Sequence, residues 1–372
     1  MKKEKEQIHD FFEHVTSDFG LSQNDPALLL VTHLLPDRHY FLHALQKIAD
    51  PIYIIPKPKS IHQPTFDAIS KTHNVLQVTK EQLRDSQQAE KLLYLVGKQV
   101  VILDMGGYFA QAINYLANSE FLLGSVEDTE NGHQKYLAQT PLATPVLSVA
   151  RSPLKDTEDY LVGQSVVFST EAVLREQNVV MNNRNIGILG YGKIGRSIAQ
   201  TISSRNLRTM VYDINSIKRV QAMSNGYPSP EKSIMLKSSD ILFCATGNNS
   251  LSGDDYLLLK DGCYISSVTS SDDELDLSGA QKHYSVSQIG EHVELYQNEH
   301  NYFYLLHSGN AINFLHNASV GAFIYLVQAE LIAGFQHLAQ RKAVKSGQIE
   351  SLPIETKKQL AKKWLNHFSE EV

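Results

Sequence analysis

Apolar residues along this chain alternate between short continuous blocks and stretches of helical spacing. Ile8, Phe11, Phe12 and Val15 recur at the three- and four-residue intervals of one helix face, which predicts a helix running to about Phe19. Leu28–Thr32 (LLLVT) is an apolar run ended by His33 and Pro36, the signature of a buried strand. A helical pattern over Arg38–Ile48 follows, then a second strand at Ile52–Ile55 (IYII) broken by Pro56 and Pro58. Strand-like runs return at Val75–Val78 and at Val100–Leu103, the latter leading straight into Asp104, Met105, Gly106 and Gly107. Ser165–Val180 reads as a long helix. Beyond it a second series begins, with strands at Ile186–Leu189, Thr209–Tyr212, Ile241–Cys244, Tyr264–Val268 and Tyr302–Leu306, a long apolar helix over Gly321–Leu338 and an amphipathic helix around Leu360, Trp364 and Phe368. Two series of strands alternating with helices predict an α/β protein of two domains, each built on a parallel sheet. The Ser165 helix and the Asn310–Gly321 region are the expected hinges.

Composition narrows the function classes. The 372 residues are 42% hydrophobic and 20% charged, with a formal net charge of −6 and no basic stripe, which argues against a nucleic-acid partner. Cys244 and Cys263 are the only cysteines, too few for a disulfide framework or a four-cysteine zinc site, and no metal is expected. The charged start Met1–Glu6 lacks a following apolar core, so no signal peptide is expected. No apolar run approaches the roughly 20 residues that span a bilayer. These features predict a cytoplasmic protein acting on a small molecule.

One segment carries specific chemistry. In GYGKIG, Gly190, Gly192 and Gly195 follow the strand Ile186–Leu189 and open a helix near Lys193 and Ile194. Gly190 permits a tight turn, Gly192 lets backbone approach a pyrophosphate, and Gly195 lets helix and strand pack closely. The helix N-terminus presents N–H groups and a positive dipole end to the phosphates. Asp213 closes the next strand, where a carboxylate takes the ribose hydroxyls of NAD and repels the 2′-phosphate of NADP. The loop Ala245-Thr246-Gly247-Asn248 follows the strand Ile241–Cys244, where Thr246, Gly247 and Asn248 are expected to meet ribose or pyrophosphate.

The run SSDILFCATGNNSLSGDDYLLLKDGCYISSVTSSDDELDL, with GYGKIG and Asp213, resembles the NAD domain of the adenosylhomocysteinase (S-adenosylhomocysteine hydrolase) family. Outside it, VTHLLPDRHYFLHAL resembles the family's first strand and its histidine, VILDMGG its ILDDGG, and GSVEDTENGHQKY its GxxEETTTGVHxLY. TPVLSVARSPLKDTEDYLVGQS resembles the segment containing KSKFDN, and LHSGNAINFLHNASVGAFI resembles LAEGRLVNLGxxxGHPSxVM. The resemblance covers about residues 28–338. It implies a Rossmann NAD domain inserted into an α/β substrate domain, with residues 1–163 and a returning helix over 317–345 in the substrate domain, 164–316 in the NAD domain, and a C-terminal helix over 346–372. It also implies recycled NAD that oxidises a substrate ribose hydroxyl, so that the neighbouring C–H can be deprotonated and a thiol eliminated.

By this resemblance His33, Asp128 and Asp159 are the candidate proton-transfer groups, expected in a cleft between the domains, and Asn313 contacts the nicotinamide amide. The family's second Asp of ILDDGG is Met105 here, and its ribose-side lysine, read at the second lysine of KSKFDN, is Thr157. Tyr160, Gln164 and Ser270 replace its asparagine, hinge cysteine and a histidine. A pocket walled by Met105 and Tyr160 is expected to be more apolar than the family's. Thr129, Glu130 and Asn131 replace the threonine run, His133 and His316 are weaker candidates, and Asp272, Asp273 and Glu274 read as a solvated turn. The family's C-terminal tail has no counterpart, which favours a homodimer. Three functions stay open: an NAD-dependent enzyme with a remodelled site, a catalytically silent NAD-binding scaffold, and a genuine S-adenosylhomocysteine hydrolase.

Overall fold

A computed structural model describes residues 2–17, 25–269, 274–317, 320–341 and 347–369, arranged in two compact units. One comprises Met1–Asp156 with Gly321–Val372, the other Thr157–Val320.

The first unit is a parallel sheet of seven strands. In chain order these are β1 (Ala27–Leu34), β2 (Ile52–Ile61), β3 (Asn74–Val75), β4 (Val100–Asp104), β5 (Leu122–Glu127), β6 (Val146–Ser148) and β14 (Ile349–Glu350). They lie side by side as β14-β6-β5-β4-β1-β2-β3. The chain runs outward in one direction from β1 through β2 and β3, then in the other from β4, so the strand order reverses between β1 and β4. Ligands of open α/β sheets bind at such a reversal, beyond the carboxyl ends of the strands. β1 and β4 are buried along almost their whole length, as central strands covered on both faces must be. The helix Phe323–Ala339 packs on β4 and β5 and is buried nearly all round, which explains its lack of a polar face.

Three expectations change in this unit. β2 continues through Pro56 and Pro58 to Ile61. The prolines are two apart and so turn their missing N–H groups to the same side, and β3 pairs only with Tyr53 and Ile54, which leaves the outer edge of β2 unpaired there. The helix expected to run to about Phe19 is Lys2–Thr16, and Phe19 lies outside the described residues. The strands β5, β6 and β14, not anticipated, extend the sheet in that order beyond β4.

The second unit holds β7 (Asn185–Leu189), β8 (Arg208–Tyr212), β9 (Ile241–Cys244), β10 (Cys263–Ser267), β11 (Ser285–Gly290), β12 (Val293–Gln297) and β13 (Tyr302–Leu306). Their order is β11-β12-β13-β10-β9-β7-β8. Five strands are parallel. The edge pair β11 and β12 is antiparallel, and β11 is exposed along most of its length, so it offered little apolar periodicity to detect. The long helix begins at Lys155, ten residues before the apolar pattern suggests, and ends at Glu176. Its first turns, Lys155 to Tyr160, are polar and carry no hydrophobic stripe. The units divide at Asp156/Thr157 and Val320/Gly321, where the resemblance implied boundaries at 163/164 and 316/317.

Candidate active site and cofactor loop

The cofactor loop joins β7 to the helix Lys193–Ser203 and lies beside β9, at the reversal of strand order in its sheet. Its three glycines do different jobs. Gly190 has φ +98°, and a Cβ there would stand 2.5 Å from the carbonyl oxygen of Ala245. A Cβ on Gly195 would stand 2.1 Å from the carbonyl oxygen of Gly190, so both positions exclude any side chain. Around Gly192 a Cβ would meet nothing within 4 Å, the open approach a pyrophosphate requires. The first N–H groups of the helix, from Lys193, Ile194 and Gly195, have no intrahelical acceptor. Asp213 accepts from the Tyr191 N–H at 2.7 Å and from the Asn215 N–H at 2.8 Å, which fixes its carboxylate against the loop. The residues present fit a dinucleotide.

The second loop is held from behind. Glu274 is fully buried and accepts hydrogen bonds from Thr246 N (2.8 Å), Thr246 Oγ1 (2.8 Å), Gly247 N (2.6 Å) and Thr269 Oγ1 (2.7 Å). This corrects the reading of Glu274 as part of a solvated turn: four donors converge on it, and it clamps the loop after β9. Asp272, Asp273 and Ser270 lie outside the described residues. Thr246 Oγ1 also accepts from Asn248 N, so its hydroxyl is committed within the loop. The Asn248 side chain is exposed. Asn313 is 4% exposed, and its Oδ1 is buried without a hydrogen-bond partner. An amide oxygen in that state suits an amide donor such as the nicotinamide carboxamide.

In the first unit the strand ends gather a charged cluster. His33, near the end of β1, is half-buried, with Nδ1 2.5 Å from Ser60 Oγ. Burial pushes its pKa well below the usual histidine range, and Lys57, Arg38 and Lys155 push it further, so the ring is neutral at pH 7. Asp128, after β5, forms an ion pair with Lys155 at 3.1 Å. Side-chain exposure of only 13% and 9% removes both from the class of solvated surface charges. Lys155 was not among the candidates. The signal was present, because KSKFDN has two lysines and Lys155 stands at the first when Thr157 is set against the second.

Two further carboxylates serve the backbone. Asp104 and Glu127 are register neighbours on β4 and β5, both fully buried. Asp104 accepts from Tyr108 N, Phe109 N and the Tyr136 hydroxyl. Glu127 accepts from Gly106 N, Gly107 N, Thr129 N and Thr129 Oγ1. Burial and then the charge of Asp104 raise Glu127 to about 8. Met105, expected on a pocket wall, is 2% exposed within the core, its sulfur accepting from the Thr32 hydroxyl. Glu130 points away to Arg151, which holds it through Nε and Nη2, and His133 is a buried structural histidine bonded to Ser148.

Asp159, in the second unit, is 13% exposed and lies 3.6 Å from Lys193 Nζ, the first residue of the cofactor-loop helix. Lys155 and Asp159 are four positions apart on one helix, the spacing that puts side chains on one face. Tyr160 is 47% exposed. Gly163 lets the helix approach Ser197, whose hydroxyl donates to the Tyr160 carbonyl. His316 Nδ1 lies 2.9 Å from Ser169 Oγ, with its ring edge-on to Phe168. His33 and Asp128 therefore stand in one unit, and Asp159 and Asn313 in the other.

Residues 160–320 match the family described as S-adenosyl-L-homocysteine hydrolase, NAD binding domain. The chain is 26% identical over 275 residues to an adenosylhomocysteinase of Sulfolobus acidocaldarius, a match covering 70% of this chain and 65% of that protein. It is 32% identical over 155 residues to an adenosylhomocysteinase of Thermotoga maritima, covering 40% and 38% respectively. To an S-inosyl-L-homocysteine hydrolase of Methanococcus maripaludis it is 27% identical over 201 residues, covering 52% and 47%. Each match spans less than two thirds of the relative's own length. Among the described residues no helix is long and apolar enough to cross a membrane.

Proposed function

We propose, from the premise that this chain belongs to the S-adenosyl-L-homocysteine hydrolase family and has NAD as its cofactor, that it oxidises a hydroxyl of a nucleoside-type small molecule in a remodelled site. NAD supplies the hydride acceptor when bound. The nearly buried Lys155–Asp128 pair at the strand ends carries the reading, because a scaffold with no chemistry to perform has no reason to keep a desolvated ion pair beside a neutral histidine. In this assignment Lys155 and Asp159 are the proton-transfer groups at the substrate hydroxyl and its neighbouring carbon, Asp128 orients Lys155, and His33 hydrogen-bonds as a neutral ring. Gly190, Gly192, Gly195 and Asp213 hold the dinucleotide, and Asn313 orients its carboxamide.

The relatives' names give the panel to test: S-adenosylhomocysteine, S-inosylhomocysteine and their parent nucleosides. The protein is denatured to count released NAD and NADH, and the native protein is then titrated with the panel while NADH and free thiol are followed. NADH formation in the wild type, lost in Lys155→Met and Asp159→Asn with NAD content unchanged, is the expected result. The second reading, an NAD-binding scaffold without turnover, is favoured by Met105, which puts a buried thioether where the family has a carboxylate. No NADH from any member of the panel would establish it. Thiol release from S-adenosylhomocysteine at an ordinary enzymatic rate of roughly 1–10³ per second would establish the genuine hydrolase.

A further inference from the structure

Arg38 is the unresolved charge of the first unit. It opens the helix Arg38–Leu45, is 3% exposed, and its Nε is buried without a hydrogen-bond partner. Among the described residues it has no ion pair with any Asp or Glu; its guanidinium lies 5.8 Å from the centre of the Phe41 ring, a neighbour that offers no formal charge. Buried cations are ordinarily paired, because a desolvated guanidinium with no acceptor loses its hydration and regains nothing.

The surroundings deepen the imbalance. β1 and β2 pair at Thr32–Pro56 and again at Leu34–Ile61, and the register shifts between these pairs, where β2 runs from Lys57 to Ser60 past His33. Lys57, Arg38 and Lys155 all act electrostatically on His33. Asp128 neutralises Lys155 at 3.1 Å, and Lys57 acts on buried Asp104, whereas Arg38 has no acid of its own. Lys57, Arg38 and Lys155 thus converge on the carboxyl ends of β1 and β2, at the strand reversal where an α/β sheet takes its ligand.

We propose that Arg38 anchors an oxyanion, a carboxylate or a phosphate, carried by the small molecule that the first unit binds. The inference rests on the substrate reading above and adds the charge class. A guanidinium presents two parallel N–H groups to two oxygens, a geometry that an ammonium cannot reproduce. Met105, expected to make the pocket more apolar, is 2% exposed within the core.

The full chain with its bound NAD tests this by thermal unfolding in sodium phosphate, sodium acetate and sodium chloride at equal ionic strength. The wild type should gain a saturable rise in Tm in one of the oxyanions: phosphate alone marks a phosphate ligand, acetate alone a carboxylate. Arg38→Leu should lose that rise, and Arg38→Lys should need at least about tenfold more anion, the loss of one good hydrogen bond. In chloride Arg38→Leu should melt at or above the wild type, since it removes an uncompensated buried charge. Equal shifts in wild type and Arg38→Leu, no shift in the wild type, or a much lower melting point of Arg38→Leu in chloride would each overturn the proposal. NAD content, measured on the same samples, separates these outcomes from failure of the NAD-dependent reading.

Discussion

Each unit places a glycine-containing loop directly after a central parallel strand, and the two loops spend their backbone donors differently. After β4, the N–H groups of Gly106, Gly107, Tyr108 and Phe109 all donate to the buried carboxylates of Glu127 and Asp104. After β7, only the Tyr191 N–H goes to a carboxylate, that of Asp213, and the helix that follows leaves its first N–H groups for a ligand. A Gly-Gly loop and a G-x-G-x-x-G loop therefore differ less in flexibility than in who accepts their hydrogen bonds. The first is closed by its own protein and serves as a rigid floor, while the second is open and serves as an anion cradle. The loop after β9 belongs with the first kind, since Glu274 accepts the Thr246 and Gly247 donors.

The largest effect should come from separating space for packing from space for the ligand. Gly195→Val places its Cβ on the Gly190 carbonyl, so the loop must open, with a stability loss of about 4 kcal/mol or more and no NAD bound. The Cβ of Gly192→Val meets no protein atom within 4 Å, so its melting point in the NAD-free form should match the wild type while calorimetry shows NAD binding abolished. If both variants lose stability equally, the open space at Gly192 is structural and the comparison fails.

Next in size are the clamps. Glu127→Ala strands donors from Gly106, Gly107 and Thr129 in a buried site, and should cost about 3–5 kcal/mol in chemical denaturation. Glu274→Ala should cost less, about 2–3 kcal/mol, because exposed Thr246 can turn its donors to water. A reversed order would mean that the loop after β9 is the more rigid of the two.

Glu330 shows the same group without such a clamp. It is fully buried on the helix Phe323–Ala339, with Lys357 at 3.9 Å, and burial raises it to about 7 from an ordinary 4.5, against the opposing pull of Ser152 and Lys357. The folded state therefore holds its proton more tightly than the unfolded state. The stabilisation is complete below about pH 4.5 and is lost as pH climbs through 7, by up to about 3 kcal/mol for a shift of that size. Glu330→Gln, neutral at every pH, should gain on the wild type by that amount between pH 4.5 and pH 8 in denaturant titrations.

Much of this was legible in the sequence, for identifiable reasons. Strands such as β1, β4 and β9 announce themselves because they are continuous apolar runs, whereas β5, whose Gly124, Ser125 and Glu127 interrupt the run, does not. GYGKIG stands out because its chemistry depends on residues that lack side chains. Lys155, Glu127 and Glu274 were hidden because their roles are set by partners far along the chain: Glu274 reads as one acid among three until Thr246, Gly247 and Thr269 fold onto it. Arg38 and Glu330 were hidden for the opposite reason, since a single charge in a helix looks solvated until burial is known. The antiparallel edge strand β11 escaped because an exposed edge need not alternate apolar and polar residues.

The smallest effect should separate recognition from architecture at Asp213. Its two oxygens already hold the Tyr191 and Asn215 N–H groups, and a carboxylate has acceptor sites to spare for ribose hydroxyls. Asp213→Asn keeps one acceptor oxygen and replaces the other with a donor, so one of the two backbone bonds is lost while the fold survives. NAD affinity should fall about tenfold, about 1.4 kcal/mol, the worth of one hydrogen bond to a charged group. NADP should move the other way, because removing the negative charge lifts the repulsion of its 2′-phosphate. The ratio of the NADP to the NAD dissociation constant, measured by calorimetry on NAD-free protein, should therefore fall by more than tenfold. A ratio unchanged in Asp213→Asn would place the carboxylate away from the adenosine ribose and leave it a loop clamp only, making the cofactor loop a weaker version of the closed loop after β4.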